Sequence, residues 1–431
     1  MEWCKLISFI VAVFLLDITS VKLSNISVEN STGYGVLGIN ILGNSSVSHS
    51  RFIFNNYYMS STNCSYNGLG PASSCLGGNM LLFYVQVPGF AANITASTSV
   101  LSIDSCVFSD GVDVSNTDIG GGLAILMMMI EHNVDISIWN VVSTNNMVTN
   151  FLIFILNNMG TTKFSITNIT SSTRNYLQPQ DEVPYGTGFR FFCGGSIPFG
   201  PIPTTSQTHL NISDSRFYNN HVHLQLNELY KNVTFYVIIS NCSFQINVNP
   251  NGRGVITAYN LRHLEIINCV FAMNKQTALQ AIDSTLYFGG HAIFSGNNGT
   301  LGGALKLQGG STFNLMPHTH VQIINNHAKR GGGIYVEDEN PQVRGGGIYT
   351  ENLFGQQYNL RACFFQVVDL YYSDSVVTLE NNTADEAGSA IYGGNIDNCC
   401  ISFFNCRTLT MQMFPMPFKI LNLPSHISQI S

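Results

Sequence analysis

Phe217, Phe244 and Phe271 recur 27 residues apart, each inside one short phrase: LNISDSRFYNN (210–220), VIISNCSFQIN (237–247) and LEIINCVFAMN (264–274). The shared template is apolar-x-apolar-x-(Asp/Asn)-(Ser/Cys)-x-Phe-x-x-Asn. Self-similarity at a fixed period of this size marks a solenoid of stacked units. The phrase returns as VSHSRFIFN around Phe52 and as LSIDSCVFSD around Phe108. Phe52 and Phe108 are 56 residues apart, which reads as two periods of 28, and Phe108 to Phe217 is 109, close to four periods of 27.

Each phrase is too short and too strictly alternating for a pair of helices. Leu264 and Ile266 share one side of a strand because side chains alternate along it. Cys269 and Phe271 also alternate, but one residue out of phase with Leu264 and Ile266. A tight turn at Asn268 would absorb that offset and return both pairs to the same interior, and Asn suits such a turn because it tolerates left-handed backbone geometry. The leucine-rich-repeat signature is missing, and no segment carries a helical stripe. The period therefore predicts an all-β, right-handed parallel β-helix of the pectin lyase-like kind, about 27 residues per rung, with equivalent strands about 4.8 Å apart. After insertions are allowed for, roughly 12 rungs are expected, a rod on the order of 55–60 Å long.

The composition suits a rod lined by an apolar ladder. Hydrophobic residues make up 45% of the chain, charged residues only 10%, and there are 39 glycines for turns. That apolar content is too high for a disordered chain. Asn-Asn pairs at 55–56, 145–146, 219–220, 297–298, 325–326 and 381–382 fall near the end of the phrase and predict stacked Asn turns. LAILMMMI (123–130) and FLIFIL (151–156) read as core strands rather than membrane spans.

Lys5 followed by the apolar run LISFIVAVFLL (6–16) has the layout of a signal peptide over residues 1–20, too short to span a bilayer. The alternative reading of the same run is a buried strand of a truncated chain. On the first reading the repeat domain covers 21–406, and the Pro-containing tail 407–431 folds across the last rung as a cap, leaving the N-terminal edge open to self-association. Glycosylation sequons occur at Asn25, Asn30, Asn44, Asn63, Asn93, Asn168, Asn211, Asn232, Asn241, Asn298 and Asn381. Asn241 lies in the turn of a core phrase, which argues against its use. With the leader, these sequons predict a secreted or cell-surface glycoprotein.

Cys64 and Cys75 bracket a Gly/Ser/Pro-rich loop and are the disulfide candidate. Cys106, Cys242 and Cys269 share one template slot and are expected to be buried free thiols, with a disulfide in that slot as the alternative. The net charge of −7 and the lack of Lys/Arg runs argue against a nucleic-acid partner.

From residue 289 a second motif joins the first: GGHAI (289–293), FSGN (294–297), GGAL (302–305), GGGIY (331–335 and 345–349) and GSAIY (388–392). This alternation of Gly-Gly-Ala-Ile-like and Phe-x-x-Asn-like motifs resembles the repeat of the chlamydial polymorphic outer-membrane proteins and of large extracellular β-helix proteins of simple animals. The resemblance implies a non-catalytic, adhesive surface protein. Arg330 and Arg344 each precede a GGGIY copy, and the 14-residue offset, half a rung, reads equally as a local duplication, a gene-model error or a structural feature; the region is expected to be a protruding loop.

The rival class is a carbohydrate-active β-helix enzyme, a polysaccharide lyase or a glycosidase. Asn116-Thr117-Asp118 and Gly290-His291-Ala292 echo a polygalacturonase pattern, but its paired carboxylates are missing from the sequence between them. Asp104, Asp110, Asp113 and Asp118 form an acidic cluster that reads as solvated turns rather than a calcium loop. Glu337-Asp338-Glu339 reads as a solvated charge run. His221 with His223, and His318 with His320, each place two imidazoles on one strand face, short of the ligand set a zinc site needs. No catalytic residue, cofactor or metal site is assigned. The expected partner is an extracellular protein or a glycan.

Overall fold

In the computed structural model, the described residues are 4–7, 11–16, 20–31, 34–39, 43–53, 55–57, 77–85, 98–113, 120–128, 132–146, 149–156, 160–172, 187–193, 206–220, 224–228, 233–248, 254–309, 311–337, 365–367 and 375–387. They form a parallel β-helix. Three long sheets run along it, one of 12 strands and two of 11, and every strand pairing is parallel. We name the 12-stranded one sheet 1; sheet 2 and sheet 3 are the other two. One rung shows the plan: Ile256–Tyr259 in sheet 3, His263–Ile267 in sheet 2 and Val270–Ala272 in sheet 1, before the chain re-enters sheet 3 at Leu279–Ile282. Twelve stacked strands at about 4.8 Å per step span roughly 50 Å.

The bend between sheets 2 and 1 is one left-handed residue per rung. Asn25, His49, Ser105, Asn140, Asn168, Asp214, Asn241 and Asn268 occupy that column with φ between 50° and 56°. The Asx residues favoured there reach left-handed geometry at low cost. The bend does at Asn268 what the sequence requires: Leu264, Ile266, Cys269 and Phe271 are all fully buried. A second left-handed column closes sheet 1 at Asn145, Asn219, Ile246, Met273, Asn325 and Asn381.

Phe217, Phe244, Phe271 and Phe294 stack face to face inside sheet 1, with successive ring centroids 4.8, 4.9 and 4.7 Å apart. Three residues beyond each Phe stands a buried Asn. Asn220, Asn247, Asn274, Asn297, Asn326 and Asn382 form a ladder in which the side-chain oxygen of each rung accepts from the backbone N–H of the rung before it. Asn247, Asn274, Asn297, Asn326 and Asn382 also donate a side-chain N–H to a carbonyl of an earlier sheet 1 strand. This explains Phe-x-x-Asn: an inward ring, a left-handed residue, then an amide that satisfies backbone which the bend would leave buried and unpaired. The Gly-Gly motif opens the following strand. Gly302 has φ 68°, and a Cβ on Gly303 would collide with the Gly332 carbonyl oxygen of the next rung.

Three expectations are corrected by the register. Phe52 pairs directly with Phe108, so their 56-residue separation is one rung with a long insertion rather than two rungs. From Phe108 the column passes through Ser143 and Ser171 to Phe217, three steps instead of four. Loop insertion imitates extra periods because loop length adds residues without adding a strand. Successive ladder asparagines from Asn220 to Asn382 are accordingly 27, 27, 23, 29 and 56 residues apart. Third, His318 and His320 do not share a strand face: His318 is a turn residue with φ 57°, and His320 begins the strand His320–Ile324.

Cys4–Ile7 and Val11–Leu16 pair in parallel with Ile26–Glu29 and Tyr34–Ile39. In this fold the leader run thus has the geometry of a further rung. The capping tail 407–431, the second GGGIY copy (345–349) and its Arg344 lie outside the described residues. The first copy supplies the bend at Gly331 and enters the sheet 3 strand Ile334–Glu337.

Candidate binding surface

Outward positions on sheet 2 build a continuous stripe. In the aligned phrases, the residue just before the first apolar position is His209, Tyr236 and His263, 27 residues apart each time. Parallel pairing places Lys163, His209, Tyr236 and His263 in one column across four strands. His209 stacks on Tyr236 at 5.1 Å between centroids, Tyr236 meets His263 edge-on at 5.6 Å, and His263 lies 4.6 Å from Tyr287. Only His209 and Tyr236 meet face to face, so the stripe offers ring edges and polar tips together with partly open ring faces.

His263 Nε2 lies 2.6 Å from Glu265 Oε1, tying the stripe to the next outward column, which holds Ser165, Asn211 and Ile238. Burial against the sheet, with Lys163 adding to it, holds the His209 imidazole below its ordinary value. His209 therefore presents a neutral ring that both donates and accepts. Further along the same sheet Trp139 stands 47% exposed.

The other faces differ. On sheet 3, Ala124, Leu126 and Leu152 alternate with the core residues Leu123, Ile125, Phe151 and Ile153, yet they are themselves buried. That stretch is apolar on both faces, which is why LAILMMMI and FLIFIL read as unbroken hydrophobic runs. At the corner closing sheet 1, Tyr218, Ile246 and Met273 are exposed on consecutive rungs. Ile246 and Met273 hold left-handed φ values of 56° and 54° with side chains poorly suited to them.

The residues singled out in the sequence are spread around the rod. Asp104 Oδ1 accepts from Ser105 Oγ at 2.7 Å and from Asn140 Nδ2 at 3.3 Å, whereas Asp110 sits at the opposite end of the strand Val107–Ser109 with φ 53°. These two carboxylates serve different corners. Asp113 ends the short strand Val112–Asp113, and Asn116, Thr117 and Asp118 fall outside the described residues. His291 lies beside His320 of the next rung, ring centroids 5.0 Å apart and tilted by 32°, on the outside of sheet 1. Among the described residues no group of three His, Cys, Asp or Glu side chains is placed to hold a metal ion.

Glu337 ends the strand Ile334–Glu337; His221, His223, Asp338, Glu339, Cys64, Cys75, Asn63, Asn93 and Asn232 lie outside the described residues. Of the other sequon asparagines, Asn30, Asn44, Asn168, Asn211, Asn241, Asn298 and Asn381 are exposed and Asn25 is half-buried. Cys106, Cys242 and Cys269 are buried and free. Burial pushes the Cys106 thiol up to about 12. The contact with Cys269, together with burial, holds Cys242 well above the usual thiol range.

The stripe itself is absent from the sequence-level candidates. His209, Tyr236 and His263 share a template slot, but an alternation of polar and apolar residues does not say which polar column is contiguous and ringed.

No protein-family model matches the chain, and neither does any curated protein. Among solved structures, the Siphovirus 9NA tailspike receptor binding domain is similar at 9% identity, covering 91% of this chain and 73% of that one, with a TM-score of 0.21. A likeness that slight bears on neither fold nor function.

Proposed function

We propose that this chain is a secreted or cell-surface β-helix protein with a structural and adhesive role, acting by presenting its outer faces rather than by turnover. The reading extends to kinship with the extracellular proteins that alternate Gly-Gly-Ala-Ile and Phe-x-x-Asn motifs. The observation that supports it best is the sheet 2 stripe, where Lys163, His209, Tyr236 and His263 repeat rung by rung on a rigid parallel scaffold. Repeated weak contacts along such a rod favour an extended or multivalent partner, an extracellular protein or a glycan.

The test is binding of the purified protein to immobilised extracellular-matrix proteins and glycans, beside the double variant His209→Ala/Tyr236→Ala. At least tenfold weaker binding by the variant, about 1.4 kcal/mol, supports the stripe as the contact. Equal binding by variant and parent rejects it. The same preparation incubated with uronic-acid polysaccharides addresses the enzyme alternative. Turnover lost on changing Asp113 or Asp118 would replace the adhesive reading with a lyase or glycosidase.

A further inference from the structure

We infer that Asn168 carries an N-linked glycan whose first sugar packs on the indole of Trp139; this rests on the secreted reading proposed above. Asn168-Ile169-Thr170 is a sequon in which Asn168 is the exposed left-handed bend residue and Ile169 is buried. Its geometry therefore turns the amide outward while the chain on either side stays in the rod. Thr167, the residue before it, pairs in register with Trp139 on the adjacent strand. Trp139 is thus diagonal to Asn168 across one inter-strand spacing of about 4.8 Å.

Trp139 is 47% exposed, the ring of a residue type that normally buries most of its surface. An indole face is apolar and electron-rich, and the C–H face of a pyranose is a fitting cover for it. One hydrogen bond aims the amide. Asn168 Nδ2 donates to Oδ1 of Asn140, the residue immediately after Trp139, at 2.7 Å. Glycosylation transfers the sugar from a lipid-linked diphosphate oligosaccharide: the sugar C1–O bond to the diphosphate breaks, a C1–Nδ2 bond forms, and one amide proton leaves with the lipid diphosphate. The second N–H remains, so the bond to Asn140 can persist and hold the sugar over the Trp139 rung.

Asn241 occupies the same bend column, and its Nδ2 donates to Asp214. There the position equivalent to Trp139 is Ser213, which pairs with Ser240. The combination of exposed sequon and neighbouring indole selects Asn168.

The experiment uses the full chain with Trp3→Phe, expressed through an animal secretory pathway, so that Trp139 is the single tryptophan. Peptides are mapped after enzymatic glycan release in heavy-oxygen water, which marks each formerly occupied Asn. Acrylamide quenching of Trp139 fluorescence is read on the native protein before and after release, and on Thr170→Val, which removes the sequon while keeping Asn168. The expected result is an occupied Asn168 and quenching that rises about twofold when the sugar is removed, as an open ring face is uncovered. Occupancy elsewhere but not at Asn168 overturns this inference alone, and an occupied Asn168 with unchanged quenching overturns the packing on Trp139. No occupied sequon at all overturns the secreted reading together with it. Because release is done on the folded parent protein, the outcome does not depend on any sequon variant folding.

Discussion

Replacing Asn274 by Ala removes four hydrogen bonds from the middle of the internal ladder. Asn274 Nδ2 donates to the Phe244 carbonyl at 3.1 Å and to Asn297 Oδ1 at 2.7 Å, while its Oδ1 accepts from Asn247 N at 2.9 Å and Asn247 Nδ2 at 3.0 Å. Some partners retain other bonds. Asn297 Oδ1 still accepts from Asn274 N, and Asn247 Nδ2 still donates to the Phe217 carbonyl. The backbone N–H of Asn247 and one hydrogen of its amide lose their acceptor at a site where Asn247 and Asn274 are each 1% exposed. Each buried unpaired group costs about 1–3 kcal/mol, so the expected loss is about 2–6 kcal/mol. Equilibrium urea unfolding followed by far-UV circular dichroism measures it. The comparison variant Asn241→Gly, at an exposed left-handed residue of the separate bend between sheets 2 and 1, should stay within about 1 kcal/mol of the parent. Since rungs couple chiefly to their neighbours, amide exchange should quicken first around Asn247 and Asn274. A loss below about 1 kcal/mol for Asn274→Ala, with exchange unchanged, would refute the ladder as a source of stability.

Phe244→Ala deletes a ring stacked between Phe217 and Phe271, and urea unfolding should show a loss of about 3–5 kcal/mol. Ile246→Gly relieves a left-handed backbone with φ 56° under a β-branched side chain, and should raise the thermal midpoint by relieving about 1 kcal/mol; a fall would mean that the exposed Ile246 makes a contact that matters more than its strain. Burial lowers the imidazoles of His132 and His209, so the unfolded chain binds their protons more readily. Stability is then fully present above the unfolded value of 6.5 and is lost as pH falls through the folded values, a slope that His132→Asn/His209→Gln should flatten in unfolding curves taken across that range. Cys106, Cys242 and Cys269 should resist a thiol reagent in the native protein and react on unfolding, as mass spectrometry of the labelled peptides would show.

Rung chemistry was legible along the chain because it is local. Leu264 and Ile266, then Asn268, then Cys269 and Phe271 state an inward strand, a left-handed bend and a second inward strand within eight residues, and Asn274 completes the phrase. Period and phase follow from alternation and from the few residue types that tolerate positive φ, so the parallel stack and its Phe column could be foreseen. Rung adjacency was not local. Whether 56 residues between Phe52 and Phe108 hold one strand step or two depends on how much chain the connecting loops absorb, and a loop's length leaves the spacing of the strands it joins unchanged. The outer face was hidden for the same reason. Lys163 and His209 stand 46 residues apart in the chain and side by side on sheet 2, and only strand pairing brings them into the column that Tyr236 and His263 continue. Sequence alone therefore determined what each rung is made of; the tertiary structure decided which rungs touch, because register is a property of paired backbones and not of either strand by itself.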